Sequence, residues 1–227
     1  MSGNIYNSVN NMGTYFSLKT QNKLLVDENN RLNELLSNYN IDTSKFKADS
    51  AKNVDYQYTP ANVIKNSYNV SNNFLLLNKG ENDGIAQDFG VISQLGIVGI
   101  IDNVSANYAT VISILNTKSS ISVRLKNSRH IGSLTWNGKS PNVIQLTDVE
   151  KVAVVNKGDT IVTSGESFIF PKDIPVGTVL DYKLDDSENF YEINIKLFND
   201  MTNIEHVYII ENNDKDEIET LLNNTNE

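Results

Sequence analysis

Val155-Asn-Lys-Gly-Asp-Thr-Ile-Val-Thr-Ser-Gly165, followed by Phe170-Pro-Lys-Asp-Ile-Pro-Val-Gly-Thr-Val179, is the stretch on which the fold turns. Lys157-Gly158-Asp159 has the chemistry of a turn, because glycine reaches positive φ and aspartate bonds to its own backbone. Thr160 to Thr163 is β-branched throughout and suits a half-buried pleat. Ser164-Gly165 ends that strand. Pro171 and Pro175 confine the next segment to a sheet edge or a strand entry before Gly177. The reading is turn, strand, turn, strand, and it contains no nucleophile paired with a base.

The same pattern extends outward on both sides. From Ala61 to Ile210 the chain reads as short strands: Ala61–Lys65, Phe74–Asn78, Gly90–Ser93, Gly96–Asp102, Thr110–Leu115, Ser120–Leu125, Ile131–Trp136, Val143–Leu146, Thr160–Thr163, Gly177–Tyr182, Tyr191–Phe198 and His206–Ile210. Turn residues separate them, among them Asn78-Lys-Gly80, Asn82-Asp-Gly84 and Asn127-Ser128. Asn137-Gly138 between two alternating runs predicts a hairpin. A dozen strands at such spacing imply barrels or a sandwich, with Thr117-Lys118 as a seam between two smaller barrels.

The ends differ in kind. Leu18, Leu25, Leu32 and Tyr39 fall seven apart, with Leu35 at the complementary position, so residues 14–39 predict a coiled-coil helix after a flexible lead of 1–13. Gln21 and Glu28 stand on the same seam where leucine would bind better, so the pairing is weak. Residues 40–58 lack periodicity and read as a linker ended by Pro60. At the other end Glu205, Glu211, Asp214, Asp216, Glu217, Glu219 and Glu227 face only Lys215, and residues 211–227 predict a solvated, partly disordered acidic tail with one helical turn at Asp216–Leu222.

A net charge of −9 speaks against nucleic acid as a partner, since phosphate binding needs clustered lysine and arginine. With no cysteine there is no disulfide framework and no thiolate metal site. The 34 asparagines point to a biased genome rather than to a function. No signal peptide or membrane-spanning run stands in the sequence, but Met1-Ser-Gly reads as an added start, so a membrane anchor is expected upstream of residue 1.

G-D-T-I-V-T-S-G at 158–165 with F-P-x-x-I-P-V-G at 170–177 resembles the signature of the rod shape-determining protein MreC family. Asn78-Lys-Gly-Glu-Asn-Asp-Gly-Ile85 is similar to that family's N-x-G-x-x-D-G-I turn. Gly90-Val-Ile followed by Gly96-Ile-Val-Gly-Ile-Ile-Asp-Asn-Val104 resembles its glycine-rich hairpin. The matched order runs from about 60 to 210, and its structural residues are Gly80, Asp83, Gly84, Gly96, Gly99, Gly158, Asp159, Thr163, Ser164, Gly165, Pro171, Pro175 and Gly177. The resemblance implies a mainly β chain in which a coiled-coil helix precedes two small β-barrels, at 59–117 (with C-terminal strands as a further possible part) and 118–210. It implies no enzyme and no cofactor, but a periplasmic scaffold of peptidoglycan synthesis on the inner membrane, forming a homodimer or filament. Its implied partners are the elongation penicillin-binding transpeptidase, MreD, RodA and the MreB system. The sequence from Thr14 to Asn29 and the abundant asparagine look like those of a Bacteroidota-like bacterium.

Two other functions were weighed on the residues. A trypsin-like double-barrel protease needs serine, histidine and an acid together. Only His130 and His206 are available, each expected on the surface, and Ser164 lacks the G-x-S-x-G elbow. Ser44-x-x-Lys47 falls in the linker and is a chance match. Two distant histidines do not close a zinc shell, and the oxygen-rich Asn78–Asp88 lacks the calcium-loop order. A periplasmic transport adaptor would place strands on both sides of a helical hairpin, whereas here the long helical pattern comes first. If the heptad leucines pair two chains, Leu25→Asp with Leu32→Asp shifts the protein to monomer in concentration-dependent sedimentation; an unchanged oligomer would rule out that pairing.

Overall fold

A computed structural model describes residues 56–225 and, before them, Leu32, which is helical and partly exposed. Leu18, Leu25, Leu35, Tyr39 and the 1–13 lead lie outside the described residues, as does the linker up to residue 55.

Twelve strands follow in the described chain: β1 (Tyr56–Asn66), β2 (Phe74–Leu77), β3 (Gly90–Ser93), β4 (Gly96–Val104), β5 (Ala109–Ser113), β6 (Ile121–Leu125), β7 (Ile131–Thr135), β8 (Val143–Glu150), β9 (Thr160–Thr163), β10 (Pro175–Leu184), β11 (Phe190–Leu197) and β12 (His206–Asn212). They close two six-stranded antiparallel barrels. The first runs β1-β12-β3-β4-β5-β2 and the second β10-β11-β8-β7-β6-β9. Both belong to one compact unit, residues 51–227.

The sequence reading located every strand, but three assignments are corrected. The second barrel does not extend to 210: β12 pairs with β1 and β3, so residues 206–212 close the first barrel. The linker ends earlier than Pro60, which sits inside β1 opposite Tyr208. Proline is accommodated because Asn62 turns its N–H and C=O towards Asn78 at the end of β2. Pro60, two residues earlier, turns the same way, past the end of β2, so its missing N–H costs no ladder bond. The Asn137-Gly138 hairpin forms, β7 pairing antiparallel with β8 through a loop of residues 136–142 in which Gly138 sits at φ +79. There the buried Trp136 donates to Ser140 and the N–H of Asn137 to Gln145 Oε1. Finally, the acidic end is an α-helix, α1 (Lys215–Thr225). Asn212 starts it by accepting from the Asp214 N–H while donating to the Phe168 carbonyl. Acids in a first turn complement the helix dipole.

Burial shows where the barrels meet. β5 and β6 alternate buried and half-buried residues, as one-sided strands do. By contrast β4 buries Gly96 to Gly99 without a break, and β9 and β12 also carry continuous buried runs, so both faces of these strands are covered. For β4 and β12, strands of the first barrel, the cover is the second barrel and the loop between β9 and β10, residues 164–174. Phe170 from that loop is fully buried, its ring lying against Gly90 of β3. Gly96 of β4 has φ +147, a conformation side chains rarely adopt, and a Cβ there would fall inside contact distance of the Pro175 carbonyl. Buried Asn199 bridges from beyond β11, donating to the carbonyls of Gly96 (3.1 Å) and Ile97 (2.9 Å) and accepting from Ser93 Oγ (2.5 Å). Asn199→Ala should therefore cost about 2–4 kcal/mol in urea unfolding, because it leaves buried carbonyls without donors; a loss below about 0.5 kcal/mol would mean that water replaces the amide.

Candidate functional site

The signature residues fall into three groups. Gly80, Asp83 and Gly84 form the turn after β2. Asp83 accepts from the Gly80 N–H (3.2 Å) and Lys79 Nζ (2.6 Å), and Gly84 closes the turn at φ +80. The Lys79 hydrogen bond first, then the Gly80 N–H, hold the Asp83 carboxyl below the ordinary carboxylate value. Gly158 and Asp159 shape the turn into β9: the Gly158 N–H reaches Val179, and Asp159 accepts from the Asn156 N–H. Gly99 and Gly177 face the carbonyls of Ile112 and Lys196 on neighbouring strands.

The third group is the junction loop. The hydroxyl of Thr163, almost fully buried, donates to the Pro171 carbonyl (2.6 Å) and accepts from the Ile174 N–H (2.9 Å). It fastens both ends of the excursion that carries Phe170 into the first barrel. Ser164 Oγ meets Ser122 Oγ (2.8 Å) and its carbonyl, and accepts from the Glu166 N–H. Gly165 follows at φ +82, against Lys172. Pro171 and Pro175 bracket the return, and Pro175 begins β10 opposite Val162. Residues that sequence reasoning passed over complete the junction. Arg124, largely buried, donates to the carbonyls of Leu125, Lys126 and Ser128 and pairs with Asp173. Neither Arg124 nor Asn199, one asparagine among 34, has a sequence signal of its own.

No histidine joins Ser164. His130 stands at the other end of β6, next to Leu125, and His206 begins β12, its Nδ1 2.8 Å from Asn62 Oδ1. The serine therefore serves to hold a loop.

One exposed edge lies at the end of the second barrel remote from the junction. There β10 runs past β9, while β11 stays paired with β8 as far as Phe190. β9 pairs β10 only up to Thr178, and the Val179 backbone is met by Gly158 and Asp159. From Leu180 to Leu184 that edge has no strand neighbour among the described residues. A bulge at Leu180 shifts the side-chain parity. Tyr182 and Leu184 thus share the face of Ile193 and Ile195, yet stand beyond the barrel's end, exposed. Tyr182 and Tyr191 meet edge to face, centroids 5.6 Å apart, and Lys183–Glu192 (2.7 Å) lies on the opposite face. Across the end, the β6–β7 turn and the β8–β9 loop enclose an open cleft of about 380 Å³.

The model of the family described as rod shape-determining protein MreC, barrel core, matches residues 63–211. The chain belongs to the MreC family. A cell shape-determining protein MreC from Cereibacter sphaeroides is 37% identical over 106 residues, covering 46% of this chain and 34% of that protein. The chain thus spans about a third of that MreC's length, and 54% of one from Listeria monocytogenes. Among solved structures, a Listeria monocytogenes MreC superposes with a TM-score of 0.65 at 22% identity, covering 89% of this chain and 94% of that one. A complex between the penicillin-binding protein PBP2 and MreC from Helicobacter pylori matches with a TM-score of 0.56 at 20% identity, over 70% of this chain and 99% of that one. The two-barrel MreC fold is therefore shared, and the family is one of shape-determining structural proteins.

Two substitutions test the junction. Thr163→Val keeps the shape but strands the Pro171 carbonyl and the Ile174 N–H; it should lose about 2–4 kcal/mol in urea unfolding, most of which Thr163→Ser restores. Gly165→Val forces a β-branched residue to positive φ and should lower the melting temperature by several degrees, roughly the effect of 1–3 kcal/mol; an unchanged value would show that the turn can rearrange.

Proposed function

We propose that the chain is a non-enzymatic periplasmic scaffold of cell-wall elongation, tethered to the inner membrane upstream of residue 1, and that it binds the elongation transpeptidase through the β10–β11 arm. The observation that carries this reading is the arm's edge from Leu180 to Leu184, which has no strand neighbour among the described residues and carries exposed Tyr182 and Leu184. A closed barrel leaves few edges, and an incoming strand finds main-chain partners only where one remains. The complex of PBP2 with the Helicobacter pylori MreC supports the choice of partner. Family membership supports the wider placement with MreD, RodA and the MreB system.

Self-association through the heptad of Leu18, Leu25, Leu32, Leu35 and Tyr39 completes the proposal. Tethering raises effective concentration, so each contact can be weak and reversible. The transport-adaptor alternative loses ground because no helical hairpin interrupts the strands between Tyr56 and Asn212.

Bio-layer binding to the periplasmic part of the elongation transpeptidase of the same organism should be saturable at about 1–100 µM. Tyr182→Asp with Leu184→Asp should weaken it at least tenfold with the melting temperature unchanged, since both side chains are exposed. Wild-type affinity in that variant would move the contact off the arm, and no binding by the unmodified chain would reject this partner.

A further inference from the structure

The cleft at the remote end of the second barrel is separate from the arm. In the circular strand order, β6 and β7 stand across the barrel from β10 and β11. The cleft lies on the β6–β7 side, lined by Leu125, Lys126, Asn127, His130 and the outer residues of the 150–159 loop. That loop alternates: Ala153 and Val155 plug the barrel, while Val152 and Val154 stand 69% and 77% exposed over the cleft. Two adjacent exposed valines on a capping loop contribute nothing to the plug beneath them.

The lining itself carries one cation, Lys126, and one acid, Asp159, while Arg129, Lys151 and Lys157 stand exposed beside lining residues. Lys126, Arg129, Lys151 and Lys157 lie in the two segments that form the cleft, against Glu150 and Asp159. Among the described residues none of these four cations has an ion-pair partner, whereas Arg124 pairs with Asp173. The charge faces outward and is available to a ligand.

A matching surface exists on the same chain. Ile218, Leu221 and Leu222 occur at i, i+3 and i+4 of α1 and so form one stripe. Leu221 is 68% and Leu222 46% exposed. Residues 211–219 contain five carboxylates and a single lysine. Stripe and cleft are both apolar, and the segments that carry them, 211–219 and 125–130 with 150–160, differ in the sign of their net charge.

We propose that α1 of one copy docks by its Ile218–Leu222 stripe into the Val152/Val154 cleft of a second copy. The inference deepens, and rests on, the self-association of the proposed scaffold, and supplies a contact independent of the heptad. Helix and cleft are different patches, so the contact is heterologous: each copy keeps one helix and one cleft open for the next. Ionic strength tunes it, because the cations beside the cleft are exposed and screening shortens their reach from about 10 Å at 0.1 M salt to about 3 Å at 1 M.

The test is sedimentation velocity of the full chain carrying Leu25→Asp and Leu32→Asp, which removes the heptad contribution. Over about 10 µM to 1 mM, the range for a weak contact, weight-average mass should rise at low salt and fall back at high salt. Adding Leu221→Asp with Leu222→Asp, or Val152→Asp with Val154→Asp, should abolish the rise; all four side chains are exposed, so thermal stability serves as the folding control. Mixing the two variants leaves one intact helix and one intact cleft per pair, and should restore a dimer but nothing larger. The proposal is overturned if neither variant alters the rise, if the mixture stays monomeric, or if mass never depends on concentration. Should the chain with its heptad intact still associate in those cases, the scaffold reading stands and only this contact falls.

Discussion

The close approach of two backbones, Gly96 of β4 against the Pro175 carbonyl, sets how the barrels stand to one another. A side chain on either strand would hold them apart. With nothing between them, Asn199 reaches both Gly96 and Ile97, and Phe198 can donate its N–H to Val176. The approach in turn demands that the loop between β9 and β10 leave the second barrel and return within residues 164–174, delivering Phe170 on the way. Thr163 makes that excursion rigid by bonding to its far side. The order of glycine, threonine and proline in this stretch is thus explained by packing, without chemistry at the serine.

A rigid junction has a functional use. A scaffold transmits position, and a hinge between the barrels would blur the geometry between whatever is held at each end. Continuous burial along β4, β9 and β12, with main-chain and side-chain hydrogen bonds across the contact, leaves little room for such a hinge. Exposed apolar residues stand away from that contact, on the arm and the capping loop of the second barrel and on the β1–β2 side of the first, where Ile64, Val70 and Phe74 are exposed.

The strands were legible in the sequence because local chemistry fixes them: β-branched runs such as Thr160–Thr163, bounded by Gly158-Asp159 and Ser164-Gly165, can be little else. The barrel to which β12 belongs was not legible. Its residues would suit either sheet, and the choice is made by pairing with Tyr56–Asn62, far away in the chain. The overhang of β10 was hidden because the bulge at Leu180 breaks the alternation that marks a strand. Asn137-Gly138 marked the β7–β8 hairpin correctly, because its glycine takes the positive φ that the connection needs. In α1 the acidic residues suggested disorder, while Ile218, Leu221 and Leu222 at helical spacing carried the opposite signal. At the site, glycines and prolines could be found from sequence, whereas Arg124 and Asn199 could not.

Because β12 pairs with β1, the whole second barrel is an insertion between β5 and β12 of the first. The two domains therefore cannot mature in the order in which the chain is made. The second barrel, from β6 to β11, has all its strands as soon as Leu197 has emerged. The first must wait with β1 unpartnered along Tyr56–Asn62 until β12 has emerged. Long-range closure of this kind is slow relative to local pairing. During that interval the inner domain can act as a finished template, holding β5 and β12 close enough for the outer one to seal around them.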